Sequence, residues 1–219
     1  MTDVQLDRAA IAAAVRVERL ALADLAAGLD EEQLATPSLC TAWTVRDVLA
    51  HLTTTTRLSI PLLAGAVVRA RGSFDRMEVD LAARRATRFT TAELVAQLRA
   101  SAESERRFPG SRPVDPLMDL VVHTQDVVRP LGLDHESPPG ARTASLAHLA
   151  TSTLMGGPRR IAGLRLVSTD SGWTHGDGAV VEGRDSDLLL VVAGRPAGLA
   201  GLRGPGVPTL AERVGPAAG

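Results

Sequence analysis

Hydrophobic residues recur at helical spacing along the chain up to Leu131, with polar residues between them. Four long segments carry this pattern, at residues 3–29, 44–71, 92–105 and 115–131, whereas the stretch 73–88 is polar and arginine-rich, as in a surface helix or a helix with a loop. Pro61 is expected to kink or end the second segment. Thr44 and Asp47 form a capping-box-like start for that segment. Four helices with short connections predict a mostly α, up-down bundle.

The pattern changes after residues 132–140, which are rich in glycine, proline and polar residues and form the best linker candidate. Beyond this linker the predicted elements are a helix at 141–154, strands at 164–169 and 179–182 joined by a glycine-rich hairpin connection, and helices at 185–192 and 206–214. The sequence therefore predicts two domains. A helical bundle would occupy residues 1–135, and a small α+β domain would occupy residues 136–219.

The segment 115–131 carries the candidate chemistry. Asp119, His123 and Asp126 are spaced four and then three residues apart, which places them on one face of a helix. The rest of the circumference is largely apolar, as is typical of a buried helix. Buried carboxylates and imidazoles must be paired, hydrogen-bonded or bound to a metal. Gln125 and Arg129 widen the polar arc, however, so the pattern also fits the solvated face of an amphipathic helix.

A metal site on this helix needs ligands from a second segment, and His51 is one candidate. It falls at the edge of the apolar stripe that Val48, Leu49 and Leu52 form. A single histidine in such a position is more often a structural core or boundary residue than a metal ligand. The spacing of the residues leaves both interpretations open.

Composition and charge exclude several classes of function. The net charge is −1, with 25 acidic and 24 basic residues, so no cationic surface for nucleic acid is expected. A single cysteine, Cys40, excludes an intrachain disulfide and fits a reducing compartment. The apolar runs are too short to cross a bilayer, and the first residues lack the pattern of a secretory signal. We therefore expect a soluble, cytoplasmic and monomeric protein that binds neither nucleic acid nor membranes.

Two motifs together resemble a known family. Residues 39–52, LCTAWTVRDVLAHL, resemble the signature of the mycothiol-dependent maleylpyruvate isomerase family, C-x-x-W-[TS]-V-x-D-V-x-x-H-L. Residues 119–126, DLVVHTQD, are similar to its helix motif E-x-x-x-H-x-x-D. Residues 164–173 and 188–195 resemble parts of its C-terminal domain. The resemblance therefore spans nearly the whole chain.

The resemblance implies a DinB-like metal-binding four-helix bundle followed by a small α+β domain. It implies a divalent metal of the zinc type held by His51, Asp119 and His123, with an open coordination position for the thiol of mycothiol. Asp126 would accept a hydrogen bond from a ligating imidazole and fix its tautomer. Arg195, from the tail domain, would bind an anionic group such as a substrate carboxylate.

The leading hypothesis is a mycothiol-dependent thiol transferase or isomerase, with mycothiol and a small electrophilic substrate as its partners. The family motif has glutamate where this chain has Asp119, whose side chain is one methylene shorter. This difference keeps a second class open, a non-catalytic binding or regulatory protein that has lost the metal. A third hypothesis is a metal hydrolase on the same ligands, which would turn over an ester or amide without any thiol.

Overall fold

The computed structural model describes residues 6–215 of the chain, apart from the side chains of residues 60, 74 and 75. The chain divides into two compact units. One consists of residues 12–134, and the other of the described residues within 1–11 and 135–219. The predicted fold class, a helical bundle followed by a small α+β part, is confirmed. The first helix continues across residue 11, so the independent domains 1–135 and 136–219 stay a prediction.

Seven helices make up most of the unit at 12–134. They are α1 (Arg8–Ala27), α2 (Glu31–Ala35), α3 (Val45–Leu52), α4 (Ile60–Arg69), α5 (Phe74–Arg88), α6 (Thr91–Ala100) and α7 (Asp115–Val128). The segment predicted at 44–71 is two helices, because α3 ends at Leu52, well before Pro61. Pro61 lies in the first turn of α4, where its missing N–H leaves no helical hydrogen bond unmade, and Ser59 caps that turn.

The predicted capping box at the start of α3 is confirmed. The Thr44 hydroxyl accepts a hydrogen bond from the Asp47 backbone N–H, at 3.3 Å. In return the Asp47 carboxylate accepts one from the Thr44 backbone N–H, at 2.9 Å. Both groups satisfy N–H donors that a helix leaves free at its first turn, so the box fixes where α3 begins.

Helix α7 is buried on nearly its whole circumference. Gln125 is 2% exposed and Asp126 is fully buried, so the solvated-face interpretation of this helix is wrong. The polar residues of α7 do not mark a solvent-exposed face, because Gln125 and Asp126 are buried together with the apolar residues. Helix α3 packs against both α5 and α7, and this packing brings the two predicted metal-ligand segments side by side.

The other unit contains a small sheet and short helices. Its elements are α8 (Pro139–Thr151), α9 (Gly157–Arg160), β1 (Leu164–Ser168), β2 (Thr174–His175), β3 (Ala179–Gly183), α10 (Asp185–Val192), a 3₁₀ helix (Pro196–Gly201) and α11 (Val207–Val214). The strand order is β2-β1-β3, so β1 is central. The sequence pattern did not predict α9, β2 or the 3₁₀ helix.

The predicted hairpin between the two longer strands is wrong, since β1 and β3 run parallel. The chain reverses direction twice within the glycine-rich segment. The first reversal produces the short antiparallel strand β2, and the second returns the chain parallel to β1. Gly176 permits the second turn because its φ is +80° and because a Cβ there would collide with the carbonyl oxygen of Leu164.

Among the described residues, no helix has both the length and the apolar character needed to cross a membrane.

Candidate metal centre

Helices α3 and α7 bring His51, Asp119 and His123 together. One donor atom from each of the three side chains lies within 4.8 Å of the other two. Nε2 of His51 is 3.5 Å from one carboxylate oxygen of Asp119, and Nε2 of His123 is 3.4 Å from the other. The three predicted ligands therefore converge, although two of them lie about seventy residues from the third along the chain.

The positions of these side chains follow from simple helix geometry. Asp119 and His123 are one turn apart on α7, which places them above one another on the same face. His51 lies in the last turn of α3, where that helix packs against α7. Both imidazoles are buried, whereas the Asp119 side chain is 30% exposed, so the cluster is open to solvent on the side of its carboxylate.

Each imidazole is oriented by a second carboxylate on its outer nitrogen. Asp126 lies 2.8 Å from Nδ1 of His123, and Glu78 lies 2.9 Å from Nδ1 of His51. A carboxylate at Nδ1 holds a proton there, so Nε2 of each ring faces Asp119 and is the nitrogen available to a metal once its own proton is lost. The structure thus places Asp126 where the family motif implied it.

The sequence pattern did not point to Glu78. It lies in the arginine-rich segment that became α5, among residues that suggested a solvated surface. The one sequence signal was that Met77 and Leu81 stand one turn apart beside it, as on a buried helix face. Both are buried in the structure.

Trp43 of the signature motif packs against both imidazoles. The centre of its ring lies 4.7 Å from that of His51 and 5.6 Å from that of His123. Only 7% of this residue is exposed, so the indole keeps water away from one side of the cluster. The loop before it is attached to α7, because the Leu39 N–H donates to the Asp126 carbonyl at 3.2 Å.

The charges of the cluster are mutually stabilising. Burial lowers the pKa of His51, but the carboxylates of Asp119 and Glu78 outweigh burial and raise this pKa to about 10. Burial also opposes the charged form of His123, yet Asp119 and Asp126 raise its pKa above the ordinary value. The same two imidazoles hold the pKa of Asp119 far below its usual range, against the effect of burial. Without a cation, the carboxylate of Asp119 is therefore ion-paired with the protonated ring of His51.

Comparison with known proteins identifies the family of the chain. Residues 15–125, just over half of the chain, match the family model described as the mycothiol maleylpyruvate isomerase N-terminal domain. The chain belongs to the mycothiol maleylpyruvate isomerase family. His51, Asp119 and His123 all lie within the matched residues.

Two solved structures share the fold of this family member. They are the crystal structures of a mycothiol-dependent maleylpyruvate isomerase and of its histidine-to-alanine mutant. Each is 17% identical to the chain, with a TM-score of 0.62 over 94% of this chain and 96% of the other. No curated protein matches the chain significantly.

The donor types of these three residues suit a divalent ion. Two imidazole nitrogens and one carboxylate oxygen form a donor set typical of catalytic zinc sites. Ligands at zinc distances of about 2.0–2.1 Å stand about 3.3 Å apart in a tetrahedron, close to the 3.4 and 3.5 Å between the nitrogens and Asp119. In addition, the buried Nε2 of His51 makes no hydrogen bond of ordinary geometry among the described residues, and the Asp119 oxygen that faces it is 3.5 Å away. A buried polar atom without a good hydrogen bond is costly, and a cation would satisfy it.

Arg195, the remaining predicted site residue, belongs to the other unit of this family member. It follows α10, is half-buried, and donates a hydrogen bond to the Ala193 carbonyl at 2.8 Å. Its assignment as an anion-binding group stays a prediction.

Proposed function

We propose that this chain is a metal-dependent enzyme that uses mycothiol as a thiol cosubstrate, to conjugate or isomerise a small electrophilic substrate. The observation that carries the proposal is the convergence of His51, Asp119 and His123, whose donor atoms lie within 4.8 Å of one another. Membership of the mycothiol maleylpyruvate isomerase family supports mycothiol as the thiol.

In this proposal His51, Asp119 and His123 hold a divalent ion of the zinc type. When bound, such an ion supplies positive charge that favours a thiolate over a thiol at neutral pH. The replacement of the family's glutamate by Asp119 is compatible with binding, because the shorter side chain already lies within 3.5 Å of both Nε2 atoms. This distance favours an active enzyme over a family member that has lost its metal.

The side chains around the three ligands would orient the imidazoles and shape the approach to the metal. Glu78 and Asp126 hold the protons on the outer nitrogens and so keep both Nε2 atoms available as ligands. Trp43 closes one side of the cluster with an apolar ring, and this lowers the local dielectric. The exposed side of Asp119 leaves a direction from which the cosubstrate and the substrate can approach.

A substrate with a carboxylate group is the class we favour. Both solved relatives are named for maleylpyruvate, which carries carboxylates. An arginine matches a carboxylate with two parallel hydrogen bonds, and Arg195 is our proposed group for this role.

The test is turnover by the zinc-loaded full chain with mycothiol and maleylpyruvate, and with mycothiol and other small carboxylate-bearing electrophiles. We expect thiol-dependent isomerisation or a thioether product, detected by mass spectrometry, and its loss in His51→Ala. His148→Ala, at a histidine on α8, is the matched control and should retain activity. Turnover of an ester or amide without any thiol would instead support a hydrolase, and a protein that binds zinc but shows neither reaction would contradict the proposal.

A further inference from the structure

We propose that a groove between α4 and α5 binds a small oxyanion with at least two negative charges, such as a phosphate or a dicarboxylate. This inference does not depend on the proposed function. The groove has a volume of about 640 Å³, within the range of about 300–1,000 Å³ of small-molecule sites. Its lining includes Thr54, Phe89 and four arginines, Arg69, Arg84, Arg85 and Arg88.

Two of the four arginines already have a carboxylate partner. Arg69 and Arg84 both contact Asp80, at 3.1 and 2.7 Å. One carboxylate thus serves two guanidinium groups, and part of their positive charge stays unbalanced at this edge of the groove.

The other two arginines have no carboxylate within contact distance among the described residues. Arg88 lies over the ring of Phe89, at 5.3 Å, and Arg85 over the same ring, at 4.8 Å. Arg57 is close enough to act on Arg85 electrostatically, and its own contact is the neutral hydroxyl of Thr56, at 3.3 Å. Burial, together with the repulsion from Arg57 and Arg88, lowers the pKa of Arg85.

The central arginine is held in place before any ligand arrives. Nε of Arg85 donates to the Thr53 hydroxyl at 3.0 Å, and another nitrogen donates to the Gln97 side chain. These contacts and the ring of Phe89 fix the guanidinium, which reduces the entropy that binding would cost. Planar guanidinium groups recognise carboxylates and phosphates with paired hydrogen bonds. Two such groups without a carboxylate partner, beside two that share a single carboxylate, therefore indicate a ligand with more than one negative charge.

The test is calorimetric titration of the metal-free full chain at low ionic strength, with inorganic phosphate in one arm and succinate in the other. We expect saturable binding of at least one probe, and the stronger probe identifies the ligand class. Arg88→Gln should weaken that binding by about tenfold, as expected for the loss of one charge-assisted contact. The Arg88 side chain makes no hydrogen bond to another described residue, so this variant should fold, which circular dichroism would check.

Arg99→Gln is the matched control. It removes the same charge from the same unit, but Arg99 pairs with Asp24 at 2.8 Å, and it does not line the groove. Binding in this variant should stay within about twofold of the original. Absence of saturable binding of either probe, or equal weakening by the two variants, would overturn the proposal. Loss of binding in His51→Ala would also overturn it, because the anion would then sit at the metal centre.

Discussion

The carboxylate of Glu78 lies 2.9 Å from Nδ1 of His51, and it reproduces on α5 the contact that Asp126 makes with His123 on α7. The two candidate imidazole ligands are therefore oriented in the same way, each by an acidic residue on its outer nitrogen. One of these acidic residues belongs to the motif of the family, and the other comes from a separate helix. This symmetry suggests that both carboxylates matter for metal affinity.

Glu78→Ala and Asp126→Ala should each weaken zinc binding by about 10- to 100-fold, because the ligating ring loses its fixed tautomer and part of its basicity. Competition with a chromophoric chelator would measure the affinities. Glu103→Ala is a suitable control, since Glu103 is an exposed acid of the same unit whose partner is Arg16. An unchanged affinity in Glu78→Ala would show that this carboxylate does not support the site.

The carboxylate ligand itself allows a sharper comparison. Asp119→Ala removes an oxygen ligand and should therefore reduce zinc affinity by more than about 100-fold. This is a larger loss than we expect from Glu78→Ala or Asp126→Ala. Asp119→Glu restores the residue of the family motif and should keep affinity within about tenfold. Should Asp119→Ala bind zinc as well as the original chain, Asp119 is not a ligand.

Trp43 provides an optical signal for the site. The chain has two tryptophans and no tyrosine, and only Trp43 contacts the candidate ligands. A protonated imidazole quenches indole emission, so replacing the proton on His51 by zinc should raise the fluorescence. Trp173→Phe should keep this response and Trp43→Phe should abolish it. If Trp173→Phe abolished the response and Trp43→Phe kept it, the metal would bind elsewhere.

Zinc binding should release protons. The pKa of His51 is raised to about 10, so this ring is doubly protonated at pH 7 without the metal. The pKa of His123 is raised above its ordinary value, which favours the protonated form of that ring as well. Metal ligands must be deprotonated, so the metal-free form holds more protons than the loaded form. Affinity should therefore rise with pH up to about 10, by up to about tenfold per pH unit for each proton released. Calorimetry in buffers of different ionisation enthalpy counts those protons, and a count of zero would contradict the assigned charges.

The sequence predicted the local features of the site well, because those features depend only on helix geometry. A spacing of four residues places Asp119 and His123 on one face of the helix. The capping box of Thr44 and Asp47 is likewise a local signal, because it involves only residues in the first turn of α3. The burial of α7 was ambiguous, since polar residues such as Gln125 can face either solvent or a polar interior.

The long-range features could not be derived from periodicity. That His51 meets His123 depends on how α3 packs against α7, and only the family resemblance indicated it. The role of Glu78 was not predicted because it lies in an arginine-rich helix with a polar overall composition. The parallel pairing of β1 with β3 was missed because a two-residue strand such as β2 has no periodic pattern to detect.

The most direct test of the account is the metal content of the freshly purified chain, measured by mass spectrometry together with that of His51→Ala and His148→Ala. The account predicts about one zinc per chain in the original protein and in His148→Ala, and a large loss in His51→Ala. A chain that takes up no zinc, or a zinc content that His51→Ala leaves unchanged, would contradict the claim that α3 and α7 together form a metal site.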